Sequence, residues 1–381
     1  MSKAVASLSA LLLCLSITLS PKASTASPQV IVSIKPIHSL VASVMAGIAV
    51  PDIMIDGANS PHDFALTPSQ ANKLSKADLV FWVGPELETF LSKPIKTIGQ
   101  QARAIELMET KGLLKFDFRE DADFDVAAGK ATDHDDHKHG QKDDHDDHKH
   151  GQKDDHDDHK HGQKDDHDDH KHGQKDDHDD HKHGQKDDHD DHKDDHKAAG
   201  GHHDHAHHAH GVDPHIWLDP VNAQLLVTRI AAELSRADPA NKARYQANAA
   251  ATKAGLKQLI GQLETLMEPI SNRRFIAFHD AYYYFEKRFA VTAAGTVTVN
   301  PEIMPGPRRI RQIKEKIKAA GVTCIFAEPQ FSPRIVKVIA AESEAQTAVL
   351  DPLGAGLTAG PGLYAKLLTN MATAMSDCLA E

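Results

Sequence analysis

An 11-residue unit, HDDHKHGQKDD, recurs five times without change over residues 134–188 and is followed by a partial copy. Almost no apolar residue occurs within 134–197, so this stretch cannot bury enough surface to offset the entropy of ordering it. A disordered, solvated loop is expected over 133–210, and any fold must come from the sequence on either side. A stacked repeat architecture is excluded, because such repeats share an apolar face and these have none. Five identical copies also mean that no single residue in the tract is positioned for chemistry, so its function would lie in the number of donors. Imidazole is the commonest side-chain ligand for zinc, copper and nickel, and aspartate adds oxygen donors. The tract reads as a loose metal sponge whose binding should weaken as pH falls through about 6.5.

Of the 28 histidines, 24 lie within 134–210, which leaves His38, His62, His215 and His279 elsewhere. The formal charge of −12 is also a property of the tract, where 26 Asp stand against 12 Lys over 133–210; the remaining residues sum to +2. A near-neutral body with an acidic loop has no basic stripe for nucleic acid, and phosphate would repel it.

Residues 1–26 have Lys3 near the start, an apolar stretch at 10–19, Pro21 and then Ser24-Thr25-Ala26. This pattern is expected of a secretory signal cut after Ala26. The apolar stretch is shorter than the roughly 18 to 20 residues that cross a bilayer. Without Cys14 the exported chain keeps Cys324 and Cys378. An even number in an oxidising compartment favours one disulfide, with two buried free thiols as the alternative.

The flanks alternate. Apolar runs at 30–34, 53–55, 79–83 and 104–107 predict strands, with helices after Pro36, over 71–76 behind Thr67-Pro68, and over 85–91. After the tract, 240–267 has no Pro and places Leu256, Leu259, Ile260, Leu263, Leu266 and Met267 at helical spacing. Strands are then expected at 275–278, 291–297, 323–327 and 347–350. The alternation implies α/β architecture: two lobes of parallel sheet flanked by helices and joined by one long linking helix, with the tract inserted in the first lobe. The expected boundaries are 27–132 and 211–238 for the first lobe, 239–270 for the linking helix and 271–381 for the second lobe.

Ligands of open α/β sheets sit beyond the carboxyl ends of strands. His62 follows the second strand within Ser60-Pro61-His62-Asp63, and His215 lies in Asp213-Pro214-His215-Ile216-Trp217-Leu218-Asp219-Pro220 just past the tract. His279 ends a strand ahead of Asp280, and Asp351 ends the last one. Three imidazoles and a carboxylate, two from each lobe, would suit tetrahedral zinc. Asp63, Asp219 and Asp280 are candidates to accept the second ring N–H of these histidines, or to serve as helix caps and turn residues.

In this order Ser60-Pro61-His62-Asp63, His215-Ile216-Trp217-Leu218-Asp219-Pro220, Phe278-His279-Asp280-Ala281-Tyr282 and Asp351-Pro352-Leu353-Gly354 resemble the solute-binding proteins of ABC-type metal importers. The particular likeness is to the periplasmic zinc-binding ZnuA type, whose members carry a His- and Asp-rich loop where the tract sits. It extends over the mature chain, including Ser33-Ile34-Lys35-Pro36 and a second-lobe disulfide at Cys324 and Cys378. The resemblance implies a monomer that captures Zn(II) between its lobes in the periplasm and delivers it to an ABC-type zinc permease in the inner membrane, with a periplasmic zinc chaperone as a further partner. It implies His62, His215 and His279 as ligands. Manganese-binding relatives carry a carboxylate at the third of these positions, so His279 favours zinc. Some zinc members have Glu immediately before the first ligand, where Pro61 stands here, and the fourth position stays open between Asp351 and water. His38 is left as structural or accessory. A histidine-rich zinc buffer and a manganese-type importer component are the alternatives; no catalytic pairing points to an enzyme.

Overall fold

The computed structural model describes residues 27–119 and 211–380. The expected signal at 1–26 and the expected disorder of the tract lie outside the described residues.

Each lobe is built on four parallel strands. In the first, β1 (Val30–Val32), β2 (Asp52–Ile53), β3 (Leu79–Trp82) and β4 (Arg103–Glu106) pair in the order β2-β1-β3-β4. In the second, β5 (Arg274–Ala277), β6 (Thr292–Thr296), β7 (Cys324–Ala327) and β8 (Gln346–Val349) pair as β6-β5-β7-β8. The two orders are equivalent. Each sheet reverses its direction of winding between its first and third strands, and the carboxyl ends there form the crevice that binds ligands in folds of this kind. Three of the four inner strands are continuous apolar runs, VIV, LVFW and CIFA, buried throughout, and the fourth, RFIA, is buried after Arg274, because helices cover both faces of a parallel sheet.

In the first lobe α1 (Lys35–Val44), α2 (Pro68–Leu74), α3 (Thr89–Thr97) and α4 (Pro220–Ala237) supply that cover. The α2 start is a capping box: Thr67 Oγ1 accepts from Gln70 N and the Gln70 side chain accepts from Thr67 N, ahead of Pro68. The linking helix α5 (Lys242–Met267) is flanked by 3₁₀ turns at Pro239–Asn241 and Glu268–Ile270 and spans about 39 Å at ~1.5 Å per residue. It buries Tyr245, Ala249, Leu256, Leu259, Leu263 and Met267 along one stripe. The second lobe has α6 (Tyr283–Phe289), α7 (Pro307–Ala320), α8 (Arg334–Ser343) and α9 (Leu363–Leu379), and α9 packs back on α1 and α5. One apolar core therefore runs through both lobes, with a smaller one under α7 and α8.

The lobes are also joined by polar contacts that need no metal. The buried Lys35 donates to the carbonyls of Ala355 (3.0 Å) and Leu357 (2.9 Å) and pairs with Asp56 (2.8 Å). Trp217 Nε1 donates to Pro352 O at 2.9 Å, and Tyr364 Oη to Trp217 O at 2.6 Å. The Cys324–Cys378 disulfide, with Cα atoms 5.9 Å apart, ties the start of β7 to the end of α9. The chain on either side of residues 120–210 comes together: Asp117 and Val212 form an antiparallel bridge, Phe118 N donates to Gly211 O (3.0 Å) and Asp213 N to Phe116 O (2.8 Å). The chain leaves and re-enters at one place, so the rest of the fold need not adjust to the length between.

The helix expected over 85–91 begins later, at Thr89. Glu88 folds back to accept from Val83 N (3.3 Å) and Gly84 N (3.0 Å), which holds the preceding residues in a turn. Complete burial pushes the Glu88 carboxyl from 4.5 up to about 7, against the hydrogen bonds it accepts. A carboxyl whose pKa rises on folding contributes its full stability below the unfolded value of 4.5 and loses it as pH rises through about 7. The stability of the wild type relative to Glu88→Gln should therefore fall by on the order of 3 kcal/mol between about pH 4.5 and 8.5. Chemical denaturation of both proteins across that range checks this, and a pH-independent gap would contradict it.

Candidate metal centre

Three of the four isolated histidines converge. His62 is carried by the loop after β2, turned where its N–H donates to Ser60 Oγ at 3.2 Å. His215 lies just past the returning end of the tract, ahead of a 3₁₀ turn over Ile216–Leu218, and His279 lies two residues beyond β5. Their ring centroids are 5.6 Å (His62 to His215), 5.6 Å (His62 to His279) and 5.4 Å (His215 to His279) apart. Among the described residues they form the one group of three or more His, Cys, Asp or Glu whose donor atoms all lie within 4.8 Å of one another. Tetrahedral zinc with bonds of about 2.0–2.1 Å would draw the nitrogens to about 3.4 Å, a small contraction. The cavity between Pro61, Trp217, Phe331 and Leu353 leaves about 10 Å³ for the centre of a water-sized sphere, room for one ion or one water.

Two of the rings are oriented by buried carboxylates. Asp213 Oδ1 accepts from His215 N (2.9 Å) and contacts His215 Nδ1 (2.7 Å), while Glu328 Oε1 accepts from His279 N (3.3 Å) and contacts His279 Nδ1 (2.8 Å). A carboxylate at Nδ1 accepts a hydrogen bond from the ring N–H, keeping the proton on Nδ1 and leaving Nε2 for the cluster. The buried His279 Nε2 has no hydrogen-bond partner among the described residues, a donor atom left for an ion. Burial, with His279 nearby, pushes His215 down to about 3, and burial with the two other imidazoles holds His62 well below its ordinary value. Both are neutral at pH 7 and offer lone pairs. His279 is pulled down by burial but pushed further up by the Glu328 charge and hydrogen bond, with Asp280 and Asp213 adding to this. Burial raises Asp213 to about 7 against the N–H of His215 and the charges of Arg119 and His279.

The residues expected from sequence to orient the rings, Asp63, Asp219 and Asp280, are not those that meet Nδ1 of His215 and His279. Asp63 is exposed. Asp219 caps α4 through Val221 N (2.8 Å) and pairs with Arg288 (2.7 Å), and Asp280 pairs with Arg119. The carboxylates that meet the rings are Asp213, two residues before His215, and Glu328, just past the strand expected at 323–327; position in sequence alone does not mark them out from other acids. Asp351 is not part of the three-histidine group. Its Oδ1 accepts from Gln330 Nε2 (3.0 Å), Leu353 N (3.2 Å) and Gly354 N (2.9 Å), fixing the turn after β8. His38 is buried at Pro51 O (3.0 Å) outside the cluster. Replacing Glu328 with Gln should weaken zinc binding about 10- to 100-fold at unchanged stoichiometry, as losses of a ligand's hydrogen-bond partner do. Competition titration would show this, and affinity within twofold of wild type would count against an orienting role.

The profile of the ZnuA family, described as "Zinc-uptake complex component A periplasmic", matches residues 30–378. The "High-affinity zinc uptake system protein ZnuA" of Brucella suis biovar 1 (strain 1330) is 43% identical over 352 residues, covering 92% of each chain. Among solved structures, a crystal structure of ZnuA superposes with a TM-score of 0.63 at 21% identity, over 93% of this chain and 99% of that one. A zinc-bound ZnuA lacking its residues 138–173 gives 0.63 at 20% identity, over the same shares. The structural likeness shows the fold; the family profile and the Brucella relative show descent over nearly the whole length. The chain belongs to the ZnuA family, the periplasmic A components of zinc-uptake complexes.

Proposed function

We propose that this protein captures Zn(II) between its lobes with His62, His215 and His279 and delivers it to an ABC-type permease in the inner membrane. As a member of its family it is the zinc-binding component of a zinc importer. The observation that carries the ligand assignment is the convergence of three imidazoles from three separate loops, one with an unpartnered Nε2 facing a cavity of single-ion size. Three nitrogen donors favour zinc over manganese, which prefers oxygen. The fourth position falls to water or to Asp351; the three hydrogen bonds already accepted by Asp351 Oδ1 favour water. On this reading the tract holds further zinc weakly and exchanges it with the cleft at a raised local concentration.

The test is growth under zinc chelation of a bacterial strain lacking its own zinc-uptake binding component. The wild-type gene should restore growth and His279→Ala should not, at equal protein levels. Equal rescue by both would contradict the assignment of the cleft as the transport site.

A further inference from the structure

Arg119 is the last described residue before the tract, and its side chain crosses to the second lobe. Nε donates to Asp280 Oδ2 at 2.8 Å and Nη2 also pairs with Asp280 Oδ1. Nη1 and Nη2 donate to Glu286 Oε2 (3.0 Å) and Oε1 (2.7 Å), and the guanidinium lies 4.3 Å from the Tyr283 ring centroid. All three charged groups are largely buried. Both carboxylates are fixed to the second lobe: Asp280 directly follows His279, and Glu286, within α6, also accepts from Ala293 N (3.0 Å) in β6.

The backbone from which Arg119 reaches is equally fixed to the other half of the cluster. Asp117 pairs with Val212, and the next residue, Asp213, orients His215. Tyr284 Oη accepts from Phe116 N (3.2 Å) and donates to Asp213 O (2.8 Å), so α6 touches both sides of this short stem. One two-stranded stem therefore holds the His215 ring on one strand and, on the other, grips the residue after His279. A planar guanidinium bound to two carboxylates fixes orientation as well as charge, which an ammonium cannot do.

We propose that Arg119 is a positioning residue for zinc: gripping Asp280 and Glu286 from the stem that carries Asp213 and His215, it sets the separation of the His215 and His279 rings and thereby slows escape of the ion. The inference rests on the three-histidine zinc reading. The competing role is neutralisation of two buried acids, which would affect stability alone.

The experiment uses the full mature chain carrying one equivalent of zinc, with dissociation followed after addition of excess chelator and affinity measured by competition. Arg119→Ala should weaken the tight site about 10- to 100-fold, mostly through faster dissociation, and Arg119→Lys should recover only part of this. In Arg119→Ala/Glu286→Gln the repulsion between acids is relieved without restoring the grip. The thermal midpoint of its zinc-free form should recover while dissociation stays fast. Wild-type affinity and dissociation rate in Arg119→Ala, to within twofold, or their full return in the double variant, would overturn the proposal. Should Arg119→Ala fail to fold, the same two criteria apply to Arg119→Lys and the double variant. A wild type without a tight site lost on replacing His62, His215 or His279 would instead overturn the zinc reading beneath it.

Discussion

Replacing His215 with Ala should lower the affinity of the tight zinc site by about 10²- to 10³-fold. Structural zinc sites bind with about 10–16 kcal/mol shared among four donors, so one donor contributes roughly 2.5–4 kcal/mol, and every 1.4 kcal/mol is about tenfold. The three proposed ligands should differ in a second property. His215 is buried against Asp213, and its loss leaves a buried carboxyl without its imidazole partner, which costs about 1–3 kcal/mol even without metal. His62 is half-buried on a loop, and its ring lies against those of His215 and His279. His62→Ala should therefore lose affinity to a similar degree while its zinc-free thermal midpoint stays near wild type. Competition titration with one equivalent of zinc, paired with melting curves of the zinc-free proteins, separates these effects. Affinity within a few-fold of wild type for His215→Ala would remove that residue from the site.

Loss of the disulfide should cost stability without costing zinc. The bridge closes 54 residues, and the chain-entropy estimate for a loop of that length is about 4 kcal/mol. Both sulfurs are buried, so Cys324→Ser/Cys378→Ser also buries two hydroxyls. The double variant should melt well below wild type. Its zinc affinity should change little, because Cys324 opens β7 whereas Glu328, the partner of His279, lies just past the other end of that strand. Thermal unfolding with and without reductant, beside zinc titration at 25 °C, checks both halves. Zinc lost on reduction while far-UV circular dichroism is unchanged would show that the bridge shapes the cleft.

The architecture was legible because its signals are local. Inner strands of a parallel sheet are uninterrupted apolar runs, and a Pro-free amphipathic stretch of 28 residues is a helix in almost any surroundings, as α5 shows. The start of α3 was not legible. Pro85 suits a first helical turn, and only a tertiary fact, the burial of Glu88 against the backbone of Val83 and Gly84, holds that segment as a turn.

The candidate ligands stood out because histidine is scarce outside the tract. Their orienting partners did not, because aspartate and glutamate are common and an adjacent position says little about direction. Asp280 is next to His279 yet faces Arg119, whereas Glu328, 49 residues away, meets the ring. Contacts such as those of Lys35 with the carbonyls of residues 355 and 357 leave no trace in local sequence, and these hold the two lobes together without zinc. The resemblance marked Ser33-Ile34-Lys35-Pro36 as part of a pattern; the structure gives Lys35 its physical role there.

The central claim is that one ion is held by three imidazoles contributed by both lobes, apart from the two dozen histidines of the tract. The most direct measurement is the zinc X-ray absorption spectrum of the full chain at one equivalent, with His62→Ala, His215→Ala and His279→Ala alongside. A four-coordinate shell of nitrogen and oxygen at about 2.0–2.1 Å is expected, with the outer-shell scattering of three imidazoles, reduced or replaced in each variant. A wild-type spectrum dominated by carboxylate, or one unchanged by all three substitutions, would contradict it and place the first zinc in the tract.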